Sequence, residues 1–224
     1  MQEMASLTPG ARYAEIPVRD FFSKQPTPEV AQMMARIKSL YSTEPVFATA
    51  RGAHHYKLLG LDLMPAPGQG TRIVEFGTTG ANQDTLAEVP HSLVIDKSWI
   101  HAAPTQDVQR CVALNSKSTD ITNSWISECH GRGYDTQAIA CWNGPGPYNI
   151  VNNYLEGAGE NVIFGGSPPS IPNLVPTGIE FRRNYVFKPL SWYANDPSYA
   201  GIHWSVKNLF ELKNSRNVVI DGNV

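Results

Sequence analysis

The sequence predicts an all-β fold, a right-handed parallel β-helix (solenoid) with a short N-terminal helix. Three observations lead to this prediction. The chain has 18 glycines and 17 prolines among 224 residues and only 17% charged side chains, which is typical of short elements joined by many turns. A row of similar residues recurs along the chain. Strand-like segments recur with it and no helical stretch separates them, so βαβ units are excluded.

Length and charge restrict the class of protein and its partners. A chain of 224 residues is long enough for one sizeable core. The net charge of −2 and the pI near 6.3 give no basic surface, so we expect no nucleic-acid partner. No apolar run approaches the ~18 residues of a membrane span. The first residues, "MQEMASLTPGARYAEIPVRDFF", also lack the pattern of a secretory signal. The oligomeric state stays open.

Residues 1 to 44 are predicted to form an N-terminal extension that differs from the repeats. Its segment "TPEVAQMMARIKSLY" offers Thr27 as a helix N-cap, Pro28 in the first turn and spaced apolar residues from Val30 to Leu40. These features predict an amphipathic helix over about residues 28 to 41. We expect the helix to cover the open end of the solenoid, where an edge strand would otherwise be unpaired.

The repeat becomes visible when the chain is aligned on a small polar residue that precedes an aromatic–apolar pair; we call this the marker position. Its five occupants are Ser98, Ser124, Asn153, Asn184 and Asn223. Three places earlier stand Ile95, Ile121, Ile150, Phe181 and Ile220. Directly after the marker stand Trp99, Trp125, Tyr154 and Tyr185. Spacings of 26, 29, 31 and 39 residues are too regular for unrelated strands and leave room for loops.

A second strand-like segment lies between successive markers, so the sequence predicts two short strands per repeat. The segments are "RIVEFGTT", "RCVALNSK", "QAIACWNG", "ENVIFGG" and "NLFELKN". Winding each repeat into one coil stacks equivalent residues about 4.8 Å apart. The isoleucine column then fills the core, whereas strand parity leaves open which way the aromatic column faces.

The marker residues suit a bend in such a coil. Asparagine and serine tolerate left-handed backbone and hydrogen-bond neighbouring main chain. We therefore predict a β-helix domain over residues 45 to 224. It is expected to be truncated at its C-terminal end, because the last repeat begins another coil without a capping segment.

Three segments carry a resemblance to a known group of proteins. "GAHHYKLLGLDLMPAPG", "ACWNGPGPYNIVNNYLEGAGENVIFGG" and "IEFRRNYVFKPLSW" resemble bacterial right-handed parallel β-helix repeat-containing proteins of the pectate-lyase-like superfamily. The resemblance covers about residues 45 to 224 and implies a secreted or periplasmic protein. The superfamily includes polysaccharide lyases, glycoside hydrolases, esterases and proteins with no known activity. Fold alone does not choose among these activities.

The leading functional hypothesis is a polysaccharide-active protein that cleaves or binds an extended glycan, uronate-containing polysaccharides included, along the solenoid flank. The alternative is a non-catalytic β-helix that binds glycan or a cell-surface partner. A hydrolase needs two carboxyl groups about 5 to 9 Å apart. A lyase needs a base and a cation or metal that neutralises the uronate carboxylate. No cofactor is required by the sequence, and calcium is expected only for a lyase.

Aligned columns bring scattered polar residues together and supply the candidate catalytic groups. Counting from the marker places His101 and Glu156 in one column and Glu128 and Lys188 in the next. In the second strand, a polar column contains Gln109, Gln137, Glu160 and Asn208, with Asp135 beside it. The candidate catalytic residues are Glu156, Glu160, Asp135, Lys188 and His130. Polar ladders of this kind also satisfy the backbone at corners, which is the structural alternative.

Further residues are candidates for contact with substrate. Arginines can neutralise a uronate, and aromatic rings stack on sugar faces or seal corners. The candidate substrate-binding residues are His101, Glu128, Gln137, Arg182, Arg183, Trp142, Trp192 and Tyr193.

Cysteine and histidine spacing predicts no metal site. Cys111, Cys129 and Cys141 form an odd set without a CxxC pair, so we expect buried apolar cysteines and neither a disulfide framework nor a zinc site. His54 and His55 are adjacent. On a strand they would point to opposite faces, which favours surface or turn histidines over metal ligands.

Overall fold

The computed structural model describes residues 16–19 and 23–224, and within them lie three parallel β-sheets of six strands each. Sheet A contains β1 (Ala35–Lys38), β4 (Leu61–Met64), β7 (Trp99–His101), β10 (Trp125–Cys129), β13 (Tyr154–Gly157) and β16 (Tyr185–Phe187). Sheet B contains β2 (Phe47–Ala48), β5 (Gly70–Phe76), β8 (Val108–Leu114), β11 (Gln137–Cys141), β14 (Glu160–Phe164) and β17 (Phe210–Leu212). Sheet C contains β3 (Lys57–Leu59), β6 (His91–Asp96), β9 (Lys117–Thr122), β12 (Tyr148–Val151), β15 (Thr177–Arg182) and β18 (Arg216–Asp221).

The chain visits sheets A, B and C in strict rotation, so each turn of three strands forms one coil. Coil 1 is β1 to β3 and coil 6 is β16 to β18. This rotation is consistent with a parallel β-helix solenoid. The expectation of two strands per repeat is wrong, because the marker position is a bend that divides the first predicted strand into a sheet C strand and a sheet A strand. The bend is too short to interrupt the apolar pattern.

The predicted isoleucine and aromatic columns are confirmed by the strand register, whereas the column that joined Gln109 to Gln137 is wrong by one residue, because Gln137 pairs with Arg110. Trp125 pairs with Trp99 in β7 and with Tyr154 in β13. Ile121 lies between Ile95 and Ile150 in the neighbouring strands of sheet C. Repetition of residue type therefore reports true spatial stacking.

The corner between sheets C and A explains the small polar residues at the marker. The residue with left-handed backbone is the one before the marker, as at Asn123 and Asn152, whose φ angles are 49° and 56°. The marker side chain then bonds main chain in the coil below. Asn153 Oδ1 accepts from Ser124 N at 3.0 Å, and Asn153 Nδ2 donates to the carbonyl of Ile121 at 2.8 Å. These bonds hold successive coils in register.

The core lies inside the three sheets and the aromatic column lies outside. Ile126 and Leu155 are fully buried in the main cluster, whereas Trp125 and Tyr154 pack in a separate cluster with Ile16 from the N-terminal segment. Trp125 Nε1 also donates to Ser23 Oγ at 3.0 Å. The outer face of sheet A is therefore covered by residues that precede the first coil.

The N-terminal helix is shorter than predicted. Helix α1 spans Pro28–Met33, with Thr27 Oγ1 capping the Val30 amide at 3.4 Å, and Met34 is already extended. Residues 35–38 form β1, which pairs in parallel with β4. The backbone bonds offered by sheet A thus override the helical pattern, and the solenoid begins before residue 45. Residues 1–15 and 20–22 of the predicted extension lie outside the described residues.

Two of the three cysteines are bonded, so the expectation of unpaired cysteines is wrong for them. Cys111 in β8 and Cys129 in β10 form a disulfide with a Cα–Cα distance of 5.7 Å and a sequence separation of 18 residues. Cys141 is buried and free. The pair lies on different sheets of adjacent coils, a proximity that counting cysteines along the chain does not reveal.

Candidate functional site

Most predicted site residues gather on one side of the solenoid, where sheet A passes into sheet B. The connections there cover residues 39–46, 65–69, 102–107, 130–136, 158–159 and 188–209; we call this side the A/B flank. The corners between sheets C and A are much shorter: from β3 onwards, each contains at most two residues. Variable loops on a rigid scaffold are where binding residues concentrate.

A cavity of about 420 Å³ lies between three of the A/B connections. Its lining includes Met64, Gln69, Thr105, Gln106 and Arg132. Ligand pockets for small molecules span about 300 to 1,000 Å³, so a sugar ring is a suitable size of occupant. Polar side chains and apolar wall atoms both line the cavity, as in most ligand sites.

The cavity wall is held by defined contacts. Arg132 Nε and Nη2 donate to Asp107 Oδ1 at 2.9 and 2.8 Å. Gln106 Nε2 donates to the carbonyls of Ala66 and Gly68 at 2.7 and 2.8 Å. These bonds tie the connections of successive coils to one another. The cavity is thus shaped before any ligand arrives.

Sequence reasoning missed this cavity, because none of the predicted site residues lines it. The available signal was the similarity of "PAPGQG" and "AAPTQD", which follow sheet A strands of successive coils at equivalent positions. Recurrent proline and glutamine at one corner of two coils predicts paired rigid loops with amide side chains.

Glu156 and Glu128 form a carboxylate pair at the end of sheet A nearest the flank. Glu156 is fully buried, and its Oε2 accepts from Tyr154 OH at 2.7 Å while Oε1 accepts from Glu128 N at 3.2 Å. A register shift between Ile126 and Cys129 creates this approach, since two residues there oppose one in β13. Lys24 Nζ lies 2.8 Å from Glu128 Oε1 and 3.4 Å from Glu156 Oε1.

The two carboxylates have opposite pKa shifts. Burial raises the pKa of Glu156, and the charge of Lys24 offsets this only in part. Burial also acts to raise the pKa of Glu128, but hydrogen bonds from His130 and Lys24 outweigh it and lower the net pKa. Neighbouring carboxyl groups with divergent pKa values are the arrangement that acid–base catalysis uses. The side chain of Lys24 covers both groups.

His130 is the third member of this cluster and is fully buried. Its Nε2 lies 3.0 Å from Glu128 Oε2, and its ring stacks on Trp204 with centroids 3.8 Å apart. Trp192 contacts the ring edge at 5.5 Å. Both tryptophans belong to the 188–209 connection, which therefore seals the corner, while Tyr193 on the same connection is exposed. Of the predicted aromatic contacts here, only Tyr193 is open to a ligand.

Glu160, Gln137 and Asp135 form a second polar cluster at the start of sheet B. Gln137 Nε2 donates to Glu160 Oε2 at 2.7 Å, as the predicted column implies. Lys207 Nζ bridges Glu160 Oε1 at 2.8 Å and Asp135 Oδ2 at 2.9 Å. These hydrogen bonds raise the pKa of Lys207. Sequence reasoning missed Lys207, which arrives from the far end of the 188–209 connection.

Lys188 fastens the tight turn between β13 and β14. Its Nζ donates to the carbonyls of Gly157, Ala158 and Gly159 at 2.6, 2.8 and 3.0 Å. Burial lowers the pKa of Lys188 to about 8. All three N–H donors of the ammonium are used, so its contacts are those of a structural clamp.

The remaining predicted residues lie apart from these clusters. His101 is two coils from Glu156, where its Nε2 lies 3.1 Å from Asp62 Oδ1 and its ring stacks on Trp99 at 3.6 Å. Arg182 is in sheet C and pairs with Asp221 at 2.9 Å, and Arg183 is in the exposed corner that follows. Trp142 follows β11 and lies under the guanidinium of Arg110 at 4.7 Å.

His54 and His55 meet on one side of the chain, contrary to the expectation from strand geometry. The φ angle of His55 is 62°, so the pair is not an extended strand, and the two Nδ1 atoms are 2.6 Å apart. His91 stacks on His54 with centroids 5.0 Å apart. Over residues 16–19 and 23–224, no group of three metal-ligating side chains has a geometry that would hold a metal ion.

Comparisons with protein-family models, with curated proteins and with solved structures found no match to this chain. Across the described residues, no helix has the length and apolar character that crossing a bilayer requires. The geometry of the A/B flank is therefore the basis on which function is inferred.

Proposed function

We propose that this chain is a right-handed, pectate-lyase-like β-helix protein that binds an extended polysaccharide along the A/B flank. The observation that carries the proposal is the cavity of about 420 Å³ between connections of consecutive coils. Coils repeat every ~4.8 Å, so equivalent loops form a line of similar surfaces. A linear polymer with repeating units suits such a line.

The chemistry of the cavity wall supports a sugar as occupant. Gln69 and Thr105 offer amide and hydroxyl groups, which can both donate and accept hydrogen bonds with sugar hydroxyls, while Gln106 holds the wall in shape. Met64 and the prolines at 65 and 67 provide apolar surface for the ring faces. Arg132 supplies donors, while its ion pair with Asp107 keeps it in place.

The disulfide supports a compartment outside the cytoplasm. Disulfides persist in oxidising environments such as the periplasm and the extracellular space. The bond between Cys111 and Cys129 fits a secreted or periplasmic protein, where polysaccharides are met.

The burial of Glu156 favours binding over cleavage. Tyr154, Lys24 and the Glu128 amide occupy its oxygens, and its side chain has no solvent exposure. Lys188 is likewise committed to three carbonyls, which leaves it unsuited to act as a lyase base. A non-catalytic glycan-binding role is therefore the one that the geometry supports best.

A second candidate function is glycoside hydrolysis by the Glu128–Glu156 pair, favoured by their opposite pKa shifts. In this scheme Glu156 donates a proton to the leaving oxygen and Glu128 acts as the ionised partner, once Lys24 moves aside. Glu156→Gln would abolish release of reducing ends yet leave binding intact. Absence of turnover in the wild-type protein would remove this candidate without affecting the binding proposal.

The binding proposal is tested by filling the cavity. Thr105→Trp places a large ring in its wall, and Asn149→Trp is the matched control on the exposed outer face of sheet C. Isothermal titration against a panel of neutral and uronate-containing polysaccharides should show binding to wild type and control and at least tenfold weaker binding to Thr105→Trp. Equal affinity of all three proteins, or binding by none while they are folded, would contradict the proposal.

A further inference from the structure

Two arginines stack on sheet B just beyond the cavity. Arg72 in β5 and Arg110 in β8 are register partners on neighbouring coils. Both residues are half-buried. Two positive charges at the spacing of adjacent strands repel each other unless an anion lies between them. Among the register partners of the described strands, this is the one pair of like-charged Asp, Glu, Lys or Arg residues.

The arginine pair has unused hydrogen-bond donors. The Nε atoms of Arg72 and Arg110 are both buried and have no hydrogen-bond partner among the described residues. The ion pair that Arg72 makes is with Glu75, at 3.4 Å. Buried donors left unsatisfied are costly, and two on register partners of adjacent strands call for a shared acceptor. Burial lowers the pKa of Arg110, and the charge of Arg72 lowers it further.

The surroundings compensate the charge of the pair only in part, since Glu75 pairs with Arg72 while Glu160 and Asp135 attract Arg110 without bonding to it. The nearest acidic groups along the same column, Glu160 and Asp135, are both bound by Lys207 at 2.8 and 2.9 Å. Gln137, the register partner of Arg110 in β11, is neutral and has an Oε1 without a partner in the part of the chain that the structure describes. Trp142 supports the guanidinium of Arg110 from below at 4.7 Å, which fixes its plane.

We propose that Arg72 and Arg110 form an oxyanion-binding site that takes a carboxylate or sulfate group. Guanidinium forks match the two oxygens of such groups with charge-assisted hydrogen bonds. Gln69 and Asp107 line the cavity. Arg72 comes three residues after Gln69 and Arg110 three residues after Asp107, so both arginines lie roughly 10 Å from the cavity along the strands. The identity of the anion as part of a glycan rests on the proposed function; the anion site itself does not. The occupant is thus an acidic or sulfated sugar next to the one in the cavity.

The first experiment measures the ion alone. Thermal unfolding is followed in sodium sulfate and in sodium chloride at equal ionic strength, for wild type, Arg72→Gln, Arg110→Gln and the control Arg182→Gln on sheet C. Sulfate stabilises proteins in general because it is excluded from their surfaces, so every variant should gain some Tm over its chloride value. This gain should be larger in wild type and Arg182→Gln than in Arg72→Gln and Arg110→Gln. In the chloride buffer Arg110→Gln should be at least as stable as wild type, because a repulsion is removed. A structural arginine would instead lower the Tm in every buffer and leave the sulfate response unchanged, which would overturn the proposal.

The second experiment identifies the source of the anion. Affinities are measured for a uronate-containing oligosaccharide, a sulfated one and a neutral one. Arg110→Gln should weaken binding of one acidic class at least about tenfold, as loss of a charge-assisted bond implies, and leave the neutral ligand unchanged. If the protein binds sulfate through the arginines but binds no glycan, the anion site is supported and the proposed function is rejected. Arginine variants that bind every acidic ligand as wild type does would reject the site.

Discussion

Replacing Asn153 by alanine tests how the coils are held together. Asn153 is fully buried, and its side chain accepts from Ser124 N and donates to the Ile121 carbonyl. Alanine leaves the buried Ser124 amide without a partner, at a cost of about 1 to 3 kcal/mol, and removes one bond to the Ile121 carbonyl, which keeps its place in the β9–β12 ladder. The free energy of unfolding should therefore fall by about 2 to 4 kcal/mol. The backbone N–H of Asn153 keeps its hydrogen bond to Asn184 Oδ1 in the variant.

Two further variants make this prediction specific. Asn149→Ala removes one exposed hydrogen bond, to Asp120, and should change the free energy of unfolding by less than about 0.5 kcal/mol. Asn153→Ser should cost less than alanine, because Ser124 Oγ accepts from Ser98 N at 3.1 Å at the equivalent corner. Urea unfolding followed by circular dichroism measures all three. If Asn153→Ala cost no more than Asn149→Ala, the marker ladder would not be what holds the coils in register.

Two other predictions concern the disulfide and the clamp. Cys129→Ala should lower the free energy of unfolding by about 3 kcal/mol, as expected for a disulfide that closes a loop of 18 residues. Reductant should lower the stability of wild type to the same level and leave that of the variant unchanged. A variant whose stability still falls with reductant would contradict this. Lys188 has a pKa of about 8 in the folded chain against a reference value of 10.5, so the unfolded state binds more protons between these pH values and stability should rise with pH there, by on the order of 3 kcal/mol. The difference in unfolding free energy between wild type and Lys188→Met should show this rise between pH 8 and 10.5, and a flat difference would mean that the folded-state pKa is not lowered.

The stacking of the coils could be predicted because it repeats. Residues one coil apart share an environment, so the isoleucine and aromatic columns were visible as recurring letters. The division of each coil into three strands was not, since the bend before Ser124 or Asn153 leaves the apolar pattern continuous. Asn123 and Asn152 contain the left-handed backbone that makes the bend.

The candidate site was predictable only where it lies within one column or two adjacent ones. Gln137 and Glu160 share a column, and Glu128 and Glu156 lie in adjacent columns that the register shift of β10 brings together. Lys24 and Lys207 could not, because they reach the site from the N-terminal segment and from a long insertion. The arginine pair was missed through a slip of one residue, which placed Gln109 beside Gln137 where the structure pairs Gln137 with Arg110. Within a strand, a slip of one residue exchanges the two faces.

The repeats also gave no indication that the N-terminal segment covers the outer face of sheet A. Strand parity did not decide whether the aromatic column faces the core or the outside. In the structure it faces outward, and Ile16 and Met34 pack against it. Such packing depends on a segment without the period of the coils. Glu156 is consequently buried in the structure, which shifts the functional conclusion from cleavage towards binding.

Glycan binding on the A/B flank can be located by a chemical-shift map of the backbone amides during titration with the oligosaccharide that binds best. We expect shifts confined to the connections 65–69, 102–107 and 130–136, extending onto β5 and β8 when the ligand is acidic. Shifts centred on the outer face of sheet C, or a bound ligand that leaves the A/B flank unperturbed, would contradict this expectation.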